Sequence, residues 1–354
     1  MDNLQQSNPT EQYKEVPFGS IQHNVAHIPV TAAEVNYLWL TYIAMSMAET
    51  FVKHALAKAE DPDYRKVLTA SLNVSTKQLN SMKEVFQSIN HPIPEAFGDK
   101  DVNVSSHRLI DETSSVRYIH MMNSYIIESD AVALGLSTRS DIRQLFSGLI
   151  DDSRNVLQMA IDVLLAKGTH LKIPYIDIPD KVEFVDDKNY YGSFMGNGRT
   201  LNSLEITSIE SILNFKVVLK IVKLAFAQVC KSDDIREFFT QGAKVADKHI
   251  KILRSIVEQE GLPAPELSDY RITDSREFTF SDRLMLFHTV TIVGYILTEY
   301  GRGLSRIMRK DVAATYLRLL SELLVVAKDG ADLLIKHRWL EKPPAMVNRK
   351  ELTH

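Results

Sequence analysis

Five side chains in the second half of the chain combine the residue types of a metal centre with the spacing of an inward helical face: Glu210, His249, His288, Glu299 and Glu322. Residues three and four apart lie on one side of an α-helix. His249 therefore shares a face with Gly242, Ala246 and Leu253, and Glu210 shares one with Ile206, Leu213 and Val217. His288, Ile292, Tyr295 and Glu299 make a single stripe, and Glu322 sits beside Leu319 and Val326. Imidazole and carboxylate groups together suit iron, manganese or zinc. Carboxylate-bridged dimetal bundles, however, place a glutamate on each of two helices and a Glu-x-x-His pair on each of the other two. No such pair lies on the helical stretches of this chain. The five residues are therefore either a looser ligand set, for iron or manganese, or buried polar groups that bond one another.

Other chemistry is thinly represented. His23 and His27 are four apart but sit in a polar leader that reads as an exposed tail. Gly196-Asn197-Gly198-Arg199 lacks the strand and helix of a dinucleotide loop and the lysine of a phosphate loop, so it reads as a turn between domains. Arg302, Arg306, Arg309 and Lys310 form a basic strip at a helix end, where solvation and the helix dipole account for them. Trp339, near Pro343-Pro344, is placed to staple the last helix to its bundle. Cys230 is the single cysteine, which excludes an internal disulfide and reads as a small buried hydrophobe in a reducing compartment.

The elements that would position these groups follow from a repeat. Glycine and proline gather in a few places, and long patterns with apolar residues every three or four positions run between them. At an offset of 171, Asp63 pairs with Asp234, Arg65 with Arg236, Lys77 with Lys248 and Pro92-Ile93-Pro94-Glu95 with Pro263-Ala264-Pro265-Glu266. Thr31 with Glu34, and Asn202 with Glu205, place an N-cap oxygen three residues before a glutamate that can reach back to free amides. Further on the offset reads as 168, pairing His120 with His288 and Gly135-Leu136 with Gly303-Leu304, and then 170 for Asp141 with Asp311.

The pattern predicts helices over 32–59, 62–90, 106–136 and 140–167, and again over 203–230, 233–260, 279–306 and 310–340. The expected organisation is a leader (1–30), a first four-helix bundle (31–175), a junction (176–201), a second bundle (202–345) and a tail (346–354). A longer link between the second and third helices of each half allows either a crossover or a simple up-down order. In the first half the places of the five polar residues fall to Trp39, Gln78, His120, Ala131 beside Asp130, and Asp152, so any site belongs to the second bundle.

The segment Phe194-Met195-Gly196-Asn197-Gly198-Arg199-Thr200-Leu201-Asn202, preceded by Val182-Glu183-Phe184-Val185, together with the duplication, resembles a domain-of-unknown-function family of duplicated ferritin-like bundles. That family is known mainly from spore-forming Bacillus relatives and is related to spore coat protein F. The resemblance covers roughly residues 30 to 345 and implies an all-α fold of two tandem ferritin-like four-helix bundles. It transfers no reaction.

A net charge of -4 gives no general attraction to nucleic acid or anionic lipid. The N-terminal residues lack the order of a signal peptide, and the most apolar stretches fall short of the ~20 residues that span a bilayer. A cytoplasmic protein is expected, with spore association implied by the resemblance. Three functions are open: a structural or interaction protein linked to sporulation, with a homo-oligomer or a spore coat protein as partner; an iron or manganese oxidoreductase or store in the second bundle; and a carrier of a small apolar ligand.

Overall fold

The computed structural model describes residues 25, 28–194, 199–265 and 269–345. Eight long helices run in chain order: α1 (Ala32–Lys58), α2 (Pro62–Ser88), α3 (Glu112–Leu136), α4 (Ser140–Ala166), α5 (Ser203–Val229), α6 (Asp233–Gln259), α7 (Asp282–Leu304) and α8 (Lys310–Lys336). Their starts obey the caps read from the sequence. Thr31 and Asn202 both close capping boxes with the glutamate three residues on. Three boundaries differ most from expectation: α3 begins at Glu112, capped by Asp111, α7 begins at Asp282, capped by Ser281, and α8 stops at Lys336. Residues 106–111 instead belong to a paired connection.

The hydrogen bonds of that connection settle the topology. The Glu112 carboxylate, on the first residue of α3, accepts from the backbone amides of Glu60 and Asp61 in the α1–α2 turn, at 2.8 and 3.0 Å. Since α2 runs away from that turn, residues 89–111 must travel the length of the bundle to return to it. In the second half Asp282 does the same to the amides of Lys231 and Ser232. Each bundle is thus a crossover bundle in which α1 packs on α2 and α3, α4 packs on α2 and α3, and α5–α8 repeat the arrangement.

Helix starts in the two halves are related by 171 residues for the first two helices and 170 for the last two, with no slip to 168. The register expected for the third helix is therefore corrected: Tyr118, not His120, is the counterpart of His288. The Gly-Leu pairs that prompted the shorter offset lie near helix ends, where similar composition does not require equivalence.

The two crossovers lie side by side and exchange bonds symmetrically. Asn103 donates to the carbonyl of Thr279 and Thr273 to that of Leu109; Asp111 donates to Arg271 and Ser281 to Asp101. Under the 170-residue relation each pair is the other with its partners swapped, which is what a twofold axis produces. The halves meet through α1 and α3 on one side and α5 and α7 on the other, with Phe51 stacked on Phe226 at 5.8 Å and Tyr125 tilted against Tyr295 at 4.2 Å. One continuous apolar core runs through both halves, and a smaller cluster around Tyr64, Val67 and Leu164 is confined to the first.

This geometry explains the helix compositions. α5 faces its own bundle and the other one, and buries 18 of its 27 residues. α8 lies outside and buries only 7 of 27, in a single stripe from Val312 to Leu334. An all-round apolar pattern is the mark of a central helix. No helix among the described residues is long and apolar enough to cross a membrane.

Candidate functional site

The five predicted residues do not converge. His249 and Glu322 are the pair that meets, with His249 Nε2 3.0 Å from a carboxylate oxygen of Glu322, whose other oxygen accepts from Lys248 at 2.7 Å. The second imidazole nitrogen faces the Tyr300 hydroxyl at 3.4 Å. Both ring nitrogens are thus engaged inside the protein. Burial first, and then the charge of Lys216, depress this imidazole to about 3 against the pull of Glu322, so it stays neutral over the physiological range. The bonds from Lys248 and His249 hold the Glu322 carboxyl below its usual value.

His288 points away from that pair. Its Nε2 takes the Tyr118 hydroxyl at 2.6 Å across the bundle–bundle interface, and Phe51 and Phe226 flank its ring. The interaction joins two residues that occupy the same place in the two repeats. Glu210 is buried with one carboxylate oxygen that lacks a hydrogen-bond partner, and Glu299 is half-buried with an oxygen 3.2 Å from Nη1 of Arg302. Burial lifts Glu210 to about 7 and raises Glu299. Among the described residues, no three histidine, cysteine, aspartate or glutamate side chains are grouped as a bound ion would require.

Three further residues complete the polar interior of the second bundle. Lys216 of α5 is buried with its ammonium 5.3 Å from the centre of the Tyr300 ring, and burial, with Lys223 nearby, drives its pKa far down. Lys223 itself is pressed to about 8 by burial. Tyr316 packs edge-on against Tyr300, with its hydroxyl unpaired. The signal for the lysines was present: Lys216, Lys220 and Lys223 are four and three apart on an otherwise apolar helix. In the first bundle the places of Lys216, Tyr300 and Tyr316 are held by Met45, Asp130 and Phe146. Asp130 is buried, bonded to Thr41 at 3.2 Å, and lifted to about 7 by burial.

Two hollows accompany these groups. One lies on the pseudo-twofold axis between Phe51, Tyr118, Phe226, Phe280 and His288, with a volume of about 70 Å³. That is below the ~150 Å³ cavity that admits benzene. The other is a crevice of about 580 Å³ between α3, the segment after α4 and α5.

The basic strip divides: Arg306 and Lys310 are exposed, as a solvated helix end implies, and the other two members are not. Arg309 is buried and bonded to Asp311 and Glu260, and Arg302 pairs with Glu128 of the first bundle. These arginines are structural ties because the α7–α8 turn packs against the start of α5. Trp339 packs on the core and stacks on His337 at 4.5 Å. His23, His27 and Met195 to Gly198 lie outside the described residues.

The repeated geometry has its counterpart in the sequence comparisons. A family model described as protein of unknown function (DUF3231) matches the chain twice, over residues 20–182 and 191–352. The chain belongs to the DUF3231 family. Each match spans one DUF3231 repeat, and the two repeats are the two crossover bundles. A candidate spore coat protein of known structure from Bacillus halodurans C-125 aligns with 44% of this chain and 100% of its own length, at 17% identity and a TM-score of 0.39. No functionally curated protein matches.

Proposed function

We propose that the chain is a structural assembly protein that joins copies of itself through the arm between its bundles. The observation that carries this reading is residues 173–185. This stretch is irregular with a bend at Asp180 and Lys181, and among the described residues its backbone from 173 to 186 makes no hydrogen bond of the turn, loop or ladder kind. Ile176, Asp177 and Ile178 before Pro179, and Lys181, Val182, Glu183 and Phe184 after Asp180, alternate apolar and polar with the period of a strand in two short runs. Yet Ile178 is 92% exposed, Val182 83%, Phe184 90% and nearby Tyr175 89%. The described part of the chain contains no strand onto which this arm could be added. An identical arm on a second copy supplies one, by the same pairing that makes exposed edges self-associate.

The magnitudes allow it. Burying a large apolar side chain contributes about 1.5–3 kcal/mol, so four on each of two arms give about 12–24 kcal/mol when fully buried, against an association cost of about 4–15 kcal/mol. Sedimentation velocity of the full chain from low to high micromolar concentration is expected to show a dimer or larger species. The double substitution Ile178→Asp/Phe184→Asp is expected to return it to a monomer with unchanged helix content. A wild-type protein that stays monomeric, or an oligomer indifferent to the double substitution, would refute the arm as the contact. A role in the spore, read from the sequence resemblance, belongs to this proposal, and is tested by whether a fluorescent fusion co-purifies with spores of the encoding organism.

A second reading rests on the facing pair His249 and Glu322, which are the natural start of an iron or manganese site in the ferritin-like pattern. Elemental analysis of untagged protein from metal-supplemented medium decides it. Near-stoichiometric metal that is lost in His249→Ala/Glu322→Ala would establish this reading, and metal-free protein would remove it.

A further inference from the structure

We infer that the crevice between α3, the segment following α4, and α5 binds a small carboxylate with an apolar body. Its walls carry Arg117, His120, His170 and Lys172, and no acidic residue. The rings of His120 and His170 meet edge to face at 5.2 Å, and Nδ1 of His170 is buried without a hydrogen-bond partner. Arg117 is held at the rim by two bonds, at 2.8 and 2.5 Å, to the carbonyl of Thr169 at the end of α4. Leu164, Phe215 and Val218 form the apolar part of the lining. Burial first, and then the neighbouring His170, holds His120 at about 4, and burial with Lys172 and Arg117 holds His170 below its ordinary value, so both imidazoles are neutral hydrogen-bonding groups and the positive charge of the crevice comes from Arg117 and Lys172. A volume of about 580 Å³ falls within the ~300–1,000 Å³ of small-molecule sites, which are likewise mostly apolar with a few converging polar groups.

The repeat supplies an internal control. Packing alone does not ask for these residues, because the second bundle builds the same helices with Phe287 at the place of Arg117, Val290 at that of His120 and Leu340 at that of His170. Only Lys172 keeps its charge, as Lys342. The Arg117 charge and the two imidazoles are thus a property of one repeat. They match an anionic head, while the apolar floor matches a hydrocarbon or aromatic body, and a bare phosphate would leave that floor in water.

Isothermal titration of the full chain with decanoate, below its micelle concentration, is the test. Saturable binding is expected, with decanol bound at least about tenfold more weakly for want of the charge-assisted hydrogen bonds. His120→Val/His170→Leu introduces residues that the second repeat already tolerates. It is expected to weaken decanoate about ten- to hundredfold, the range of one such lost bond, while the thermal midpoint holds. Lys172→Met, at an exposed position, is expected to weaken it in the same direction without touching the core. Absence of saturation, equal binding of decanol, or full affinity in both variants would overturn the site.

Discussion

Replacing Phe226 with alanine is expected to destabilise the chain by about 3–5 kcal/mol, the range for a large aromatic removed from a packed core. The ring is almost wholly buried and touches Phe51, Phe239 and His288 on three other helices and Phe280 of the second crossover. It sits where the two bundles meet, so the cavity opens in a core that both share. The two tryptophans report the halves separately, since Trp39 belongs to α1 and Trp339 follows α8. Urea unfolding followed in Trp39→Phe and Trp339→Phe backgrounds should show both probes moving to lower denaturant together. A shift confined to the Trp339 signal would mean that the bundles unfold independently and that the shared core carries little cooperativity.

The second large effect is expected at Glu34 and Glu205, the capping glutamates. Each does more than close its own helix. Glu34 accepts from the amides of Thr31, Thr138 and Arg139, so it fastens the start of α1 to the α3–α4 turn. Glu205 repeats this with the amides of Asn202, Met308 and Arg309 and adds both terminal nitrogens of Arg199. Both side chains are buried. Glu205→Ala leaves the Arg199 guanidinium and several amides without their acceptor, and a cost of about 3–5 kcal/mol is expected. Glu205→Gln, which keeps one oxygen, should fall between.

These carboxylates also fix the acid limit. Burial alone would raise Glu34, but the bonds from Arg139, Thr31 and Thr138 outweigh it and bring it from 4.5 to about 2. Burial likewise opposes the Arg199 and backbone bonds that lower Glu205. A carboxyl whose folded value lies below its unfolded one contributes stability above the unfolded value, and that stability is lost as pH falls through the folded one. Thermal midpoints should therefore decline between pH 4.5 and about 2, and Glu34→Gln/Glu205→Gln should flatten that decline. An unchanged slope in the double variant would assign acid sensitivity to other groups.

The repeat symmetry puts the buried polar groups in perspective. Lys77 with Asp152 and Lys248 with Glu322 are equivalent ion pairs, yet Gln78 bonds the Leu149 carbonyl where His249 bonds Glu322. The second bundle thus carries its polar interior on a scaffold that the first builds with Met45, Gln78 and Phe146. The family match supports the scaffold and leaves the use of that interior as a matter for the experiments above.

The sequence by itself determined the eight helices, their capping boxes and the duplication. These are local: a cap joins residues three apart, an amphipathic stripe recurs within one helix, and a repeat needs only comparison of the chain with itself. It also determined that Glu210, His249 and His288 lie on buried faces, because an apolar stripe implies burial whatever covers it. Only the tertiary structure decided which neighbour covers each face. α7 has two buried sides, and His288 lies on the one turned to Tyr118 of the other bundle, whereas Tyr300 lies on the one turned to His249. A stripe with a period of 3.6 cannot distinguish these, since both sides are apolar. The crossover order likewise came from the contact of Glu112 and Asp282 with turns about fifty residues earlier, a long-range choice that no local pattern encodes.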